Sequence, residues 1–156
     1  MVYETRYSDS LTHYGIKGQK WGVRRFQRKD GTLTEAGKKR KAKYEEDLDR
    51  LNSDMLTNRI VVQKANQTND PRTQVAAAVY VRDIEKASKS GKRIVDHMKK
   101  KGLVSDNTTF DDYTAKYERK VRDNCKKYIG DTYGIKNPTD DVVDYLFPTY
   151  VLTGRR

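Results

Sequence analysis

TEAGKKRKAKYEEDLDRLNSDMLTNRIVVQKANQTNDP, residues 34–71, decides the fold. Thr34 can cap a helix whose first turn carries Glu35, placed to favour the helix dipole. Beyond it Tyr44, Leu48, Leu51, Met55 and Val62 recur at helical spacing, so one long helix is predicted to about residue 66. NQTNDP, residues 66–71, is a turn cluster, and Pro71 stops any helix that would run through it.

Working towards the C-terminus, a second helix is predicted over about 72–101, with Ala76, Tyr80, Ile84, Ala87, Gly91, Ile94 and Met98 as a seam like that of a coiled-coil hairpin. Gly102 follows three lysines and makes a C-terminal stop. SDNTTF then supplies caps for a third helix, about 109–129, with Tyr113, Tyr117, Val121 and Tyr128 on one stripe and Gly130 and Gly134 bracketing its exit. After Pro138, Thr139 with Asp140 and Asp141 is a helix start, Val142, Val143, Leu146 and Phe147 give an apolar face, and Pro148 kinks or ends it. No segment reads as a strand. The expectation is a mainly α protein, an antiparallel helical hairpin with one or two covering helices, preceded by a glycine-rich basic N-terminal arm.

Working towards the N-terminus, the chain changes character. Residues 1–12 lack a core-forming run and read as a flexible terminus. Residues 13–33 have glycines at 15, 18, 22 and 31, too many for a stable helix, and interleave Tyr14, Ile16, Trp21, Val23 and Phe26 with cations. That pattern suits a looping segment ordered by docking. Residues 34–152 form the expected helical domain, and 153–156 a basic tail.

The 156 residues are one domain's worth, with or without an arm. Only 35% are hydrophobic, 35% are charged, and the mean hydropathy is -1.01, so the core is thin. Eleven tyrosines supply much of the apolar surface and favour half-buried positions with a wet hydroxyl. A net charge of +11 favours polyanionic partners. It is concentrated at the front: residues 13–43 hold eleven Lys and Arg against Asp30 and Glu35.

Catalysis needs a nucleophile with a base, paired acids in a cleft, or a metal, and the inventory for each is thin. The lone Cys125 excludes an internal disulfide, and no local signature joins it to His13 or His97. The two histidines have no zinc-ligand spacing, so neither a metal nor any other cofactor is expected. Asp111 with Asp112, and Asp140 with Asp141, sit at helix starts, where dipole compensation accounts for them. GIKGQKWG, residues 15–22, lacks the phosphate-loop pattern. No catalytic residue is nominated, and neither an enzyme nor a small-molecule substrate is expected. MVYETRYSDS carries charges where a secretion signal would be apolar, and no run approaches the roughly 20 apolar residues that cross a bilayer, so folding in a reducing cytoplasm with no membrane partner is expected.

The composition of the informative segment suits either of two physical jobs. In the first, it docks on a protein: His13, Gly15, Ile16, Lys17, Gly18, Lys20, Trp21, Gly22, Val23, Arg24, Arg25 and Phe26 form the contact set. Trp21 is the anchor, Arg24 and Arg25 fork onto carboxylates, and the glycines let the backbone lie close. In the second, Lys17, Lys20, Arg24, Arg25, Arg28, Lys29, Lys38, Lys39 and Arg40 neutralise nucleic-acid phosphates while aromatic rings stack on bases. The bland alternative is that Trp21, Val23 and Phe26 fold back onto the chain's own helices.

HYGIKGQKWGVRRFQRKDGTLTEAGKKRK, from residue 13, resembles a segment found in proteins of tailed bacteriophages and prophages, with the general form HxGIKGxKWGVRRYQxxDGTLTxAGKKRY. His13, Gly15, Ile16, Lys17, Gly18, Lys20, Trp21, Gly22, Val23, Arg24, Arg25, Asp30, Gly31, Thr32, Leu33, Ala36, Gly37 and Lys38 to Arg40 fall in register, whereas Phe26 and Lys41 stand where tyrosine is frequent. The resemblance covers residues 13–40 and implies a phage context. By association it implies a virion role, such as a minor head component or an internal protein packed with the genome. The partner would then be a virion protein of the capsid, portal or connector lattice, with DNA as the alternative. Such a chain is expected in the host cytoplasm during assembly and then in the virion, and the helix-two seam suits a homo-oligomer.

Overall fold

The computed structural model describes residues 25–68 and 70–147. The chain is mainly helical: α1 (Glu35–Asn66), α2 (Pro71–Lys100), α3 (Phe110–Tyr133) and α4 (Asp140–Leu146) account for most of the described residues. Each start follows from local chemistry. Thr34, Asp70, Thr109 and Thr139 are the N-caps, and each accepts a hydrogen bond from a backbone N–H of the first turn. Thr109 and Asp112 complete a reciprocal capping box, in which the Asp112 carboxylate also accepts from the Thr109 N–H at 2.7 Å. Pro71 occupies the first turn of α2, where its missing N–H costs nothing.

The helix ends are as specific. Gly102, at φ 65°, lets its N–H reach the Lys99 carbonyl (2.8 Å) while the Leu103 N–H reaches that of Met98 (3.0 Å). This double bond pattern closes the last turn of α2, and Leu103 drops into the core, 3% exposed. α3 runs through Gly130 and stops at Gly134, at φ 68°. Gly130 was expected to mark the exit as well, but a helix ends where a left-handed residue is needed, and only Gly134 adopts one.

One core cluster joins the first three helices: Leu48 and Met55 of α1, Val95 and Met98 of α2, Leu103, and Phe110 and Tyr113 of α3. Ile84, Ala87 and Ile94 are partly buried against it. The second-helix seam is therefore correct in its C-terminal half and displaced in its N-terminal half. Ala77 rather than Ala76 is buried there, and Tyr80 is exposed, because little covers the first three turns of α2. On α3 the stripe also slips: Tyr113 is buried, but Tyr128 is 53% exposed and Ile129 takes the interior position. Val143 carries α4 into its packing site on α3, and the rings of Tyr128 and Phe147 meet edge to face at 6.1 Å. Leu146, expected on the apolar face, is largely outside it.

Candidate functional site

The basic segment's last described part is built on the helices. Asp30 and Gly31 form the expected turn, with Gly31 at φ 85° and the Asp30 carboxylate accepting from the Thr32 N–H (2.9 Å) and hydroxyl (2.7 Å). These bonds hold the Asp30 carboxyl below its ordinary value. The turn brings Gln27 opposite Leu33 in one antiparallel bridge, the Arg28 N–H donating to the Thr32 carbonyl at 2.7 Å. Thr34 then fastens the strand-like stretch to the helix start. Its N–H donates to the Phe26 carbonyl (3.0 Å), and its hydroxyl donates to that of Arg25 (2.9 Å) while capping α1.

This seat needs a glycine. The Phe26 carbonyl lies so close to Gly37 that a Cβ there would sit 2.2 Å from the oxygen. Gly37 is accordingly buried in the first turn of a helix that is otherwise solvated at that point. Phe26 and Leu33 pack against the core cluster. Phe26, placed by sequence in the docking set, is thus half-buried on its own chain, the fold-back alternative at this one position. His13, Gly15, Ile16, Lys17, Gly18, Lys20, Trp21, Gly22, Val23 and Arg24 lie outside the described residues.

Around Phe26 the fold assembles a cluster that no single stretch of sequence contains. The Arg25 guanidinium lies 5.3 Å and the Lys101 ammonium 5.5 Å from the ring centroid. A groove of about 690 Å³ runs on one side, lined by Arg25, Phe26, Lys99, Lys100, Lys101 and Val104 among others. A second, of about 390 Å³, lies between Arg25, Phe26 and Lys101 and the α1 residues Ala36, Lys39, Arg40 and Lys43. Of the nominated cations, Arg25, Lys39 and Arg40 enter the grooves. Arg28 and Lys29 are exposed on the turn, and Lys38 is paired with Glu35 at 2.8 Å. Lys43 and Lys99 to Lys101 were missed by the sequence reading. The signal was the run of three lysines before Gly102, but nothing local said that the end of α2 would return beside the start of α1.

The remaining candidates for chemistry are dispersed. Burial pushes the Cys125 thiol up, partly opposed by Arg122, away from the thiolate a nucleophile needs. His97 stands edge-on to the Tyr44 ring at 5.8 Å. Asp140 binds Lys126 at 2.6 Å and lies near Arg122, which also pairs with Asp144. Hydrogen bonds from the Thr109 backbone and hydroxyl hold the Asp112 carboxyl below its usual range. Among the described residues no group of three or more His, Cys, Asp or Glu is placed to hold a metal ion, and no helix is long and apolar enough to cross a membrane.

Residues 4–28 match the model of a family of unknown function, DUF7211, a stretch that runs through the glycine-rich segment and ends just past Phe26. Neither a curated protein nor a solved structure matches the chain.

Proposed function

We propose that this chain is a non-catalytic, virion-associated protein of a phage or prophage. It docks on another virion protein through His13 to Phe26, and its antiparallel helical hairpin with covering helices carries that arm. The observation supporting this reading most directly is the seat of the arm. Asp30, Gly31, Thr32, Leu33 and Gly37, all in register with the phage-type segment, make the turn, bridge and close approach that fix Arg25 and Phe26 to the body. On this reading the segment is one unit, a docking sequence with its own anchor, which accounts for a single stretch combining glycines, an aromatic anchor and a helix start. Trp21 fills a pocket on the partner, Arg24 and Arg25 set orientation on its carboxylates, and the protein passes from host cytoplasm to virion.

The test is incorporation. Trp21→Ala is expected to abolish recovery of the protein in purified particles while leaving its helical circular dichroism unchanged. Normal incorporation of the variant would sink the docking reading.

A further inference from the structure

We infer that the paired grooves flanking Phe26 form a sequence-independent binding site for single-stranded nucleic acid. The site shares Arg25 and Phe26 with the end of the docking arm, but five of its cations, Lys39, Lys43 and Lys99 to Lys101, belong to the helical body and lie outside the docking set.

Seven cations line the two grooves: Arg25, Lys39, Arg40 and Lys43 from the arm seat and α1, and Lys99, Lys100 and Lys101 from the end of α2. No carboxylate among the described residues forms an ion pair with any of them, and Asp106 is the one acidic residue on either lining. Lys99 does feel Asp112 at longer range. Elsewhere the same chain pairs its cations: Lys41 with Glu45, Arg59 with Glu118, Lys120 with Asp49, Lys126 with Asp140. Gathering seven like charges at one end costs electrostatic energy that the fold offsets only in part, at the carbonyl end of α2 and over the rings of Phe26 and Tyr44. A polyanion laid along the grooves relieves it and releases condensed counterions.

Two features favour a single nucleic-acid strand. Five of the seven are lysines, point charges that neutralise a phosphate chain without imposing the bidentate geometry of an arginine fork, and an aromatic ring, Phe26, lines both grooves, the pairing of charge and ring that strand-tracking sites use. The cations also come from three places in the sequence and line recesses rather than a ridge. A recess with basic walls and an aromatic partition follows a single strand, while duplex readers push an element outward into a groove of the DNA.

The experiment is a binding titration of the full chain against a fluorescein-labelled 20-nucleotide oligothymidylate over a range of salt. The logarithm of affinity is expected to fall linearly with that of salt, and Lys99→Gln/Lys100→Gln/Lys101→Gln to flatten the slope by about 2, with affinity at low salt falling roughly tenfold or more. Lys39→Gln/Lys43→Gln, at solvated positions of α1, supplies an independent variant that should flatten it by about 1.4. Circular dichroism checks that each variant remains folded. The control Lys64→Gln/Lys89→Gln/Lys136→Gln changes charge by the same amount as the first variant at residues that line neither groove. Equal losses in the control, unchanged slopes in both groove variants, or tighter binding of a polyglutamate of matched charge would overturn the proposal, the last in favour of an acidic protein partner. Trp21→Ala should bind the oligonucleotide as the parent does, which separates this site from docking through Trp21.

Discussion

Glycine inside a helix costs about 0.5–1 kcal/mol relative to alanine, yet α1 keeps one at position 37 and α2 another at 91. Both are explained by what lies against them. At Gly91 a Cβ would fall 2.2 Å from the Phe110 ring, so the glycine is the slot that lets the start of α3 enter the core. At Gly37 the obstacle is the Phe26 carbonyl, a backbone atom already bonded to Thr34 and unable to retreat without releasing the arm seat. Gly37→Ala is therefore expected to lower stability by about 1–2 kcal/mol despite alanine's better helix propensity, read as a lower urea midpoint; a raised midpoint would contradict the seat. Tyr113 gives a second residue-scale test. Burial, with smaller repulsion from Glu45 and Asp112, pushes its phenol from 10 up to about 12. The folded chain thus keeps that proton to higher pH than the unfolded chain does, so its contribution is complete below pH 10 and is lost as pH rises towards 12. Tyr113→Phe should make stability fall less steeply between those values, measured by urea unfolding at a series of alkaline pH.

At the scale of elements, α1 meets α3 through a polar contact set in an apolar surround. Asn52 is 3% exposed, and its Oδ1 accepts from the Thr114 hydroxyl at 2.8 Å, but its Nδ2 has no partner among the described residues. A buried donor left unmade costs about 1–3 kcal/mol, more than one neutral hydrogen bond returns. Asn52→Leu is expected to raise stability by about 1 kcal/mol, since the Thr114 hydroxyl retains the Phe110 carbonyl at 3.2 Å. A lower denaturation midpoint would mean that the Asn52–Thr114 bond contributes more than the orphaned donor costs. The cross-element ion pairs Lys120–Asp49 and Lys116–Glu45 run along the same seam at largely exposed positions, where screening leaves them little weight in stability, though they favour one register of α3 on α1.

At the scale of the whole molecule, what the sequence made legible was what is local, and what it hid was what depends on coverage. Thr34 and Thr139 announced two helix starts, and SDNTTF offered several caps for a third, of which the helix uses Thr109, because capping is a property of a few adjacent residues. The inward face of early α2 was misread because periodicity says which residues share a stripe and not whether anything lies over it. The basic grooves were half legible for the same reason, since Lys39 and Arg40 belong to an obvious cationic run, whereas Lys99 to Lys101 join them only through tertiary return. Coverage also grades stability along the molecule. The joined core of Leu48, Met55, Val95, Met98, Leu103, Phe110 and Tyr113 lies beneath the arm seat and the start of α3, while near the turn between α1 and α2 the buried apolar side chains are the small Ala65 and Ala77, with Val75 74% and Val79 59% exposed. Local opening follows such contact density. Backbone amides of residues 75–82 are accordingly expected to exchange with deuterium at least about tenfold faster than those of 92–99 in the same helix, a difference of roughly 1.4 kcal/mol in opening free energy. Uniform protection along α2 at micromolar concentration would instead require that face to be covered in solution, and loss of that protection on dilution would identify the cover as a second copy of the chain.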